Sequence, residues 1–247
     1  MTATTIKKLK DGLCNILPYA DGPAPSDIFI RQQWEMAGAH AMIANGLISV
    51  YEQASSIQKA QAVDFVGYAL QWVAAVTHHH DWEETIYYPL YAPKFETSQM
   101  VAEHASFTEG LHLMETYLIS CLPRGTKWGY GVITQNEQLE TYDSTKLLSI
   151  IGSFAEPLVQ HLQKELEYLD PAKIKASGLT EDEVRHIDSV SEKHMTSMSP
   201  FTFLTYVVLA TPKSSGFPPA PWFVKNVLVP YVFYWYGRAW WKFAPKN

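Results

Sequence analysis

The chain has 247 residues, enough for one large domain or one domain with an extension. A formal charge of -6 leaves no basic footprint for nucleic acid. With two cysteines, Cys14 and Cys121, and lysines but no sustained apolar run at the N-terminus, a disulfide framework, a cysteine-ligated zinc site and a secretory signal are set aside, and a reduced, cytoplasmic setting is expected.

Residues 1–25 read as an arm, because Pro18, Gly22, Pro23 and Pro25 break any long helix there. Ser26 is a good N-cap for helix A, expected from Asp27 to about Ser55. Met36, Ile43, Leu47 and Val50 form its apolar stripe, with His40 on the same face. Helix B is expected from about Ser56 to Tyr88. Its face runs Phe65, Trp72, His79, Glu83, Ile86 and Leu90, so a histidine and a carboxylate stand where core residues belong. Ser98 is a plausible cap for helix C, which runs to about Leu122 and carries His104 on the face of Val101, Leu111, Met114 and Leu118. Helix D starts near Asp143-Ser144 and ends near Asp170-Pro171. Its stripe is Leu147, Phe154, Leu158, His161, Glu165 and Leu169, and Pro157 either kinks it or restarts it.

Four long amphipathic segments with short or moderate loops predict an all-α, antiparallel four-helix bundle over residues 26–171. Residues 172–247 form an aromatic-rich C-terminal extension, expected to pack over one side or end of the bundle. It has no uninterrupted apolar run near 20 residues, so no transmembrane segment is read.

Each helix offers one inward histidine: His40, His79, His104 and His161. Glu83 and Glu165 lie one turn beyond two of them, and residues four apart on a helix share nearly one face. Carboxylates bridge two metals and imidazoles cap each one; such a nitrogen and oxygen donor set suits iron best, then manganese or zinc. His78 and His80 flank His79 and are assigned to the surroundings, although the register His80/Glu84 stays open as an alternative to His79/Glu83. A ferritin-like site would use Glu-x-x-His on two helices. Glu109-x-x-His112 and Glu183-x-x-His186 have that spacing, but His112 is off the helix C stripe and Glu183 is outside the bundle.

Over roughly residues 30–170 the chain resembles the hemerythrin-like (HHE cation-binding) family. The resemblance rests on Ala39-His40-Ala41, on His79-x-x-x-Glu83 with Glu84 and Tyr87-Tyr88-Pro89, on Glu103-His104, and on His161-Leu162-x-x-Glu165. It looks closest to fungal members with an extension after the bundle. The resemblance implies a non-haem di-iron centre that meets dioxygen, with His40, His79, Glu83, His104, His161 and Glu165 as the ligands. Oxygen-carrying members have a second histidine one turn along helix C, where this chain has Thr108. The expected ligand set is therefore one imidazole short of a carrier's.

Two functional readings follow. In the first, the centre activates dioxygen for oxidation of a small organic substrate, and the extension roofs a pocket that excludes water. Trp222, Phe223 and Tyr231 are the first candidates for that roof. In the second, the protein binds, stores or senses iron or dioxygen without turnover. The first is preferred. No catalytic side chain is assigned; Trp34, Tyr87 and Tyr88 lie near ligand turns, with core packing as their ordinary role.

Overall fold

In the computed structural model, residues 2–134 and 139–246 are described. Among them the regular structure is all helical. In chain order the helices are α1 (Thr2–Ala20), α2 (Ile28–Gln53), α3 (Ala62–Trp82), α4 (Tyr88–Tyr91), α5 (Ser98–Ser120), α6 (Ser144–Tyr168), α7 (Pro171–Ala176), α8 (Glu181–Thr196), α9 (Thr205–Ala210), α10 (Val229–Tyr231) and α11 (Arg238–Trp241). Wide π turns at Glu83–Tyr87, Pro200–Leu204 and Val224–Leu228 lead into α4, α9 and α10.

The bundle is the ring α2, α3, α5 and α6, in which α2 touches α3 and α6, and α5 touches the same two. The termini follow local chemistry. Asp27, not the expected Ser26, caps α2, its carboxylate accepting from the N–H groups of Phe29 and Ile30. Asp143 does the same for α6 through Thr145 and Lys146. Thr97 occupies the cap position of α5, and Ser98 is its first residue. Pro157 neither ends nor restarts α6, which is one helix from Ser144 to Tyr168.

The expected N-terminal arm is instead α1, a helix of 19 residues. Pro18 falls in its last turn, where loss of one N–H donor ends the helix soon afterwards without breaking it. Leu9, Ile16 and Ala20 are fully buried, with Ile6, Leu13 and Leu17 packed beside them. That spacing of three and four is a helical stripe, and it lies across α2 and α6.

The extension covers the α2–α3 side: α8 and α9 lie on α2, and α11 on α3. It keys into missing side chains. A Cβ on Gly38 would stand 2.3 Å from Cγ of Phe217, and one on Gly67 would stand 2.5 Å from Nε1 of Trp240. Phe243 closes the seam, its carbonyl accepting from Ser49 Oγ and Gln53 Nε2 at 2.8 Å each.

Candidate metal centre

Seven buried ligand-type side chains meet in the middle of the bundle. His40 comes from α2, His79 and His80 from the last turn of α3, Glu83 from the π turn that follows, His104 from α5, and His161 and Glu165 from α6. The π turn is local and specific. The N–H of Glu83 is shared by the carbonyls of His79 and His80, and the N–H of Tyr88 reaches back five residues to Glu83. Such widened turns recur at functional sites because they re-aim one side chain without ending the helix.

The side chains form two groups. His40, His79, Glu83 and Glu165 make one; His80, Glu83, His104 and His161 make the other. Within each group the candidate ligand atoms lie within 4.8 Å of one another. The carboxylates span both. Glu83 places Oε1 3.0 Å from His79 Nε2 and Oε2 3.5 Å from His104 Nε2. Glu165 places Oε2 3.1 Å from His40 Nε2 and 3.4 Å from His161 Nε2.

These atoms have no other use in the fold. Nε2 of His40, His79, His80, His104 and His161, and all four carboxylate oxygens, are buried without a hydrogen-bond partner. Nine orphaned acceptor-type atoms facing one space are far more than a stable core tolerates. Cations placed among them would satisfy all of them together, so the donor set fits two closely spaced ions with mixed nitrogen and oxygen ligands.

Protonation agrees with that fit. Burial, reinforced by the neighbouring imidazoles, holds His40, His80 and His161 well below the usual histidine range. Burial brings His79 down to about 4. The imidazoles are therefore neutral and keep a lone pair for a ligand bond. Burial drives the Glu165 carboxyl up to about 7, and burial with the charge of Glu165 drives Glu83 well above the ordinary range. Two carboxylates cannot both stay ionised in this dry space unless a cation lies between them.

The far sides of three of the rings are held. His40 Nδ1 lies 2.7 Å from the Leu162 carbonyl, His104 Nδ1 2.6 Å from Glu84 Oε1, and His161 Nδ1 3.5 Å from Glu103 Oε2. Donation from Nδ1–H to these acceptors fixes the tautomer that aims Nε2 inward. Glu84 is thus a holder of His104 and does not point into the centre.

Beside the centre is a cavity of about 530 Å³ that His79 and Tyr87 line from the bundle. Its apolar wall includes Met36, Met42, Trp82, Met198, Phe203 and Phe217. Its polar end holds Arg31, Gln32, Glu35 and Asp188. Gln32 donates to Asp188 at 3.1 Å and accepts from Tyr91 at 3.0 Å and Tyr87 at 3.3 Å. Burial, with Asp188 beside it, pushes the Glu35 carboxyl up to about 8, so Glu35 is a proton donor at neutral pH.

The six residues expected from the sequence are all brought together. The seventh, His80, was assigned to the surroundings and is instead buried, with its ring 4.5 Å from His104 and 5.5 Å from His161. It makes a fifth imidazole. Thr108, one turn along α5, leaves no gap in the count and bonds back to the His104 carbonyl at 2.7 Å. The signal for His80 was its own spacing: it begins the alternative register His80/Glu84, of which only the histidine turns inward. Trp34 and Tyr88 are core residues. The expected roof also differs. Trp222, Phe223 and Tyr231 are exposed, and the extension lines the cavity with Phe203, Leu204, Val207, Phe217 and Val224.

Residues 33–172 match the family model described as the hemerythrin HHE cation binding domain. The chain is also similar to the dimeric xanthone biosynthesis cluster protein R11 of Cryptosporiopsis sp. (strain 8999). The two are 25% identical over 225 residues, which cover 85% of this chain and 77% of that protein. No solved structure matches the chain.

Proposed function

The chain belongs to the hemerythrin HHE cation-binding family, and on that premise we propose that it is a non-haem di-iron oxidoreductase that uses dioxygen to oxidise an organic substrate. The observation that carries this reading is the cavity of about 530 Å³ that shares His79 with the ligand cluster. Its size is that of a site for a molecule well beyond dioxygen. The relative's name assigns it to a dimeric xanthone biosynthesis cluster, which supports an organic substrate here as well.

Five imidazoles and two carboxylates would hold the ions, with Glu83 and Glu165 facing both groups. Iron bound there supplies the electron transfer to dioxygen that neutral side chains cannot. The rest is the work of the chain. The apolar wall desolvates the substrate and keeps bulk water from the centre. Glu35, protonated, and Gln32 offer hydrogen bonds to a polar group of the substrate at the far end. Phe203 and Phe217 from the extension close the side that the bundle leaves open.

A second reading, binding of dioxygen or iron without turnover, draws on the fifth imidazole, since His80 restores a five-histidine set. Oxygen consumption separates the two. The intact iron-loaded protein should consume dioxygen catalytically with some member of a panel of phenolic and polycyclic substrates, and Phe203→Ala should change turnover per iron while iron content stays the same. Consumption that stops at oxidation of the protein's own iron across the panel would retire the enzyme reading.

A further inference from the structure

Between residues 222 and 241 the chain is apolar on both sides of its helical path. The inner side is covered: Val229 and Trp241 are buried and Val224 lines the cavity. The outer side is bare. Phe223, Val227 and Tyr231 recur every four residues along one helical run and are exposed, as are Trp222, Trp235 and Tyr236. Trp222 and Tyr231 leave 72% and 71% of their surface open. A helix that is apolar all round belongs in a core or against lipid, and contiguous exposed aromatics mark an interaction surface.

Charge selects the occupant. All 25 acidic residues lie in residues 1–192, together with 13 of the 19 lysines and arginines. The last 55 residues hold the other six cations and no carboxylate, a formal +6 against -12 for the rest of the chain. Arg238 is exposed within the aromatic surface, its guanidinium carbon 5.6 Å from the Trp235 ring. Lys225 and Lys242 are tied to the protein, the first by the Gly216 and Pro218 carbonyls and the second by Asp64. Two copies joined patch to patch would bring two Arg238 guanidiniums to one interface with no carboxylate from residues 193–247 to pair them. An anionic lipid surface matches the sign, and tryptophan and tyrosine are the residues that favour its headgroup level.

We propose that the exposed aromatic face of residues 222–241 seats this protein peripherally on an anionic membrane surface. No helix among the described residues is long and apolar enough to cross a membrane; the proposed contact is one of lying on the surface. Val224 of this stretch, with Pro221 just before it, lines the cavity, so a seated protein holds that cavity wall at the lipid and draws an apolar substrate from it. This consequence rests on the oxidoreductase reading; the seating does not.

The test is flotation of the iron-loaded full chain with vesicles of phosphatidylcholine alone or with phosphatidylserine at about four to one. Binding should be strong to the mixed vesicles and weaken as salt rises. Trp222→Ser with Tyr231→Ser should lower the bound fraction roughly ten-fold, because both rings leave the interface. Arg238→Glu should weaken binding to the mixed vesicles only. Iron content and helical circular dichroism read on the same variants show that the fold is kept. The proposal fails if the intact protein does not float with the mixed vesicles, or if the double variant floats as well as the parent. It fails equally if light scattering shows a dimer that the double variant splits while neither form binds lipid. No arm requires turnover, so the outcome is independent of the enzymatic reading.

Discussion

His79 and His80 are neighbours in sequence, with ring centroids 5.2 Å apart, yet they face opposite halves of one site: His79 stands 5.2 Å from His40, and His80 stands 4.5 Å from His104. Successive helical residues point about 100° apart. Both can face inward only because the centre is wide enough to fill the angle between them. A single ion would use one of these two histidines; a pair would use both.

Metal content should therefore divide along that line. His80→Ala should lose roughly half of the bound iron and His79→Ala a similar share, whereas Glu83→Ala, which faces both groups, should lose nearly all. Elemental analysis of the variants after identical iron loading checks this. A His80→Ala protein with the parent's full iron content would remove His80 from the ligand set.

Glu84 should matter although it is exposed. Its carboxylate is 2.6 Å from His104 Nδ1 and fixes the ring that aims Nε2 at Glu83. Glu84→Ala should weaken metal affinity about 10- to 100-fold with little change in helical content. Competition with a chelator of known affinity measures it, and unchanged affinity would show that the pair is only a surface contact.

Metal should stabilise the protein more as pH rises. Glu165 is raised to about 7 when folded, so its protonated form favours the metal-free fold fully below an unfolded value near 4.5, and that stability is lost as pH climbs through 7. The loss is on the order of 3 kcal/mol. A cation between the carboxylates removes it. His79 acts in the other direction: lowered to about 4, it keeps the fold stable above about 6.5 and withdraws that stability as pH falls toward 4. The gap in melting temperature between loaded and metal-free protein should thus be wider at pH 7.5 than at pH 5.5. An equal gap would mean that Glu165 does not change protonation when metal binds.

The extension should detach when its notches are filled. A side chain at Gly38 meets the Phe217 ring, which is also a cavity wall. Gly38→Val should destabilise the fold by about 1–3 kcal/mol and make the region after Met198 more sensitive to protease. Gly38→Val with Phe217→Ala should recover part of the loss, because the second change makes room for the first. Thermal melts of the single and double variants decide it.

Leu9→Ala should cost about 2–5 kcal/mol, since Leu9 is fully buried between the first helix and the bundle. An effect near zero would return that segment to the role of a loose arm.

The four bundle helices and six of the seven inward ligand-type residues were legible in the sequence, because an amphipathic helix writes its buried face at intervals of three and four. A histidine or carboxylate on that face stands out wherever the helix is packed. His80 was not legible as an inward residue, because one stripe has room for one of two adjacent residues, and the width of the centre is set by how far apart the four helices stand. The first helix was hidden by Pro18, whose effect depends on its lying in a final turn. The cavity was legible least of all. Its walls come from α2, α3, the π turn that follows it, α8 and the segments after Thr196, brought together in part through the notch at Gly38, which shows no periodic signal. Local spacing decides which face of a helix is buried; only the packing of distant segments decides what empty space they enclose, because a cavity is a property of the surfaces that fail to meet.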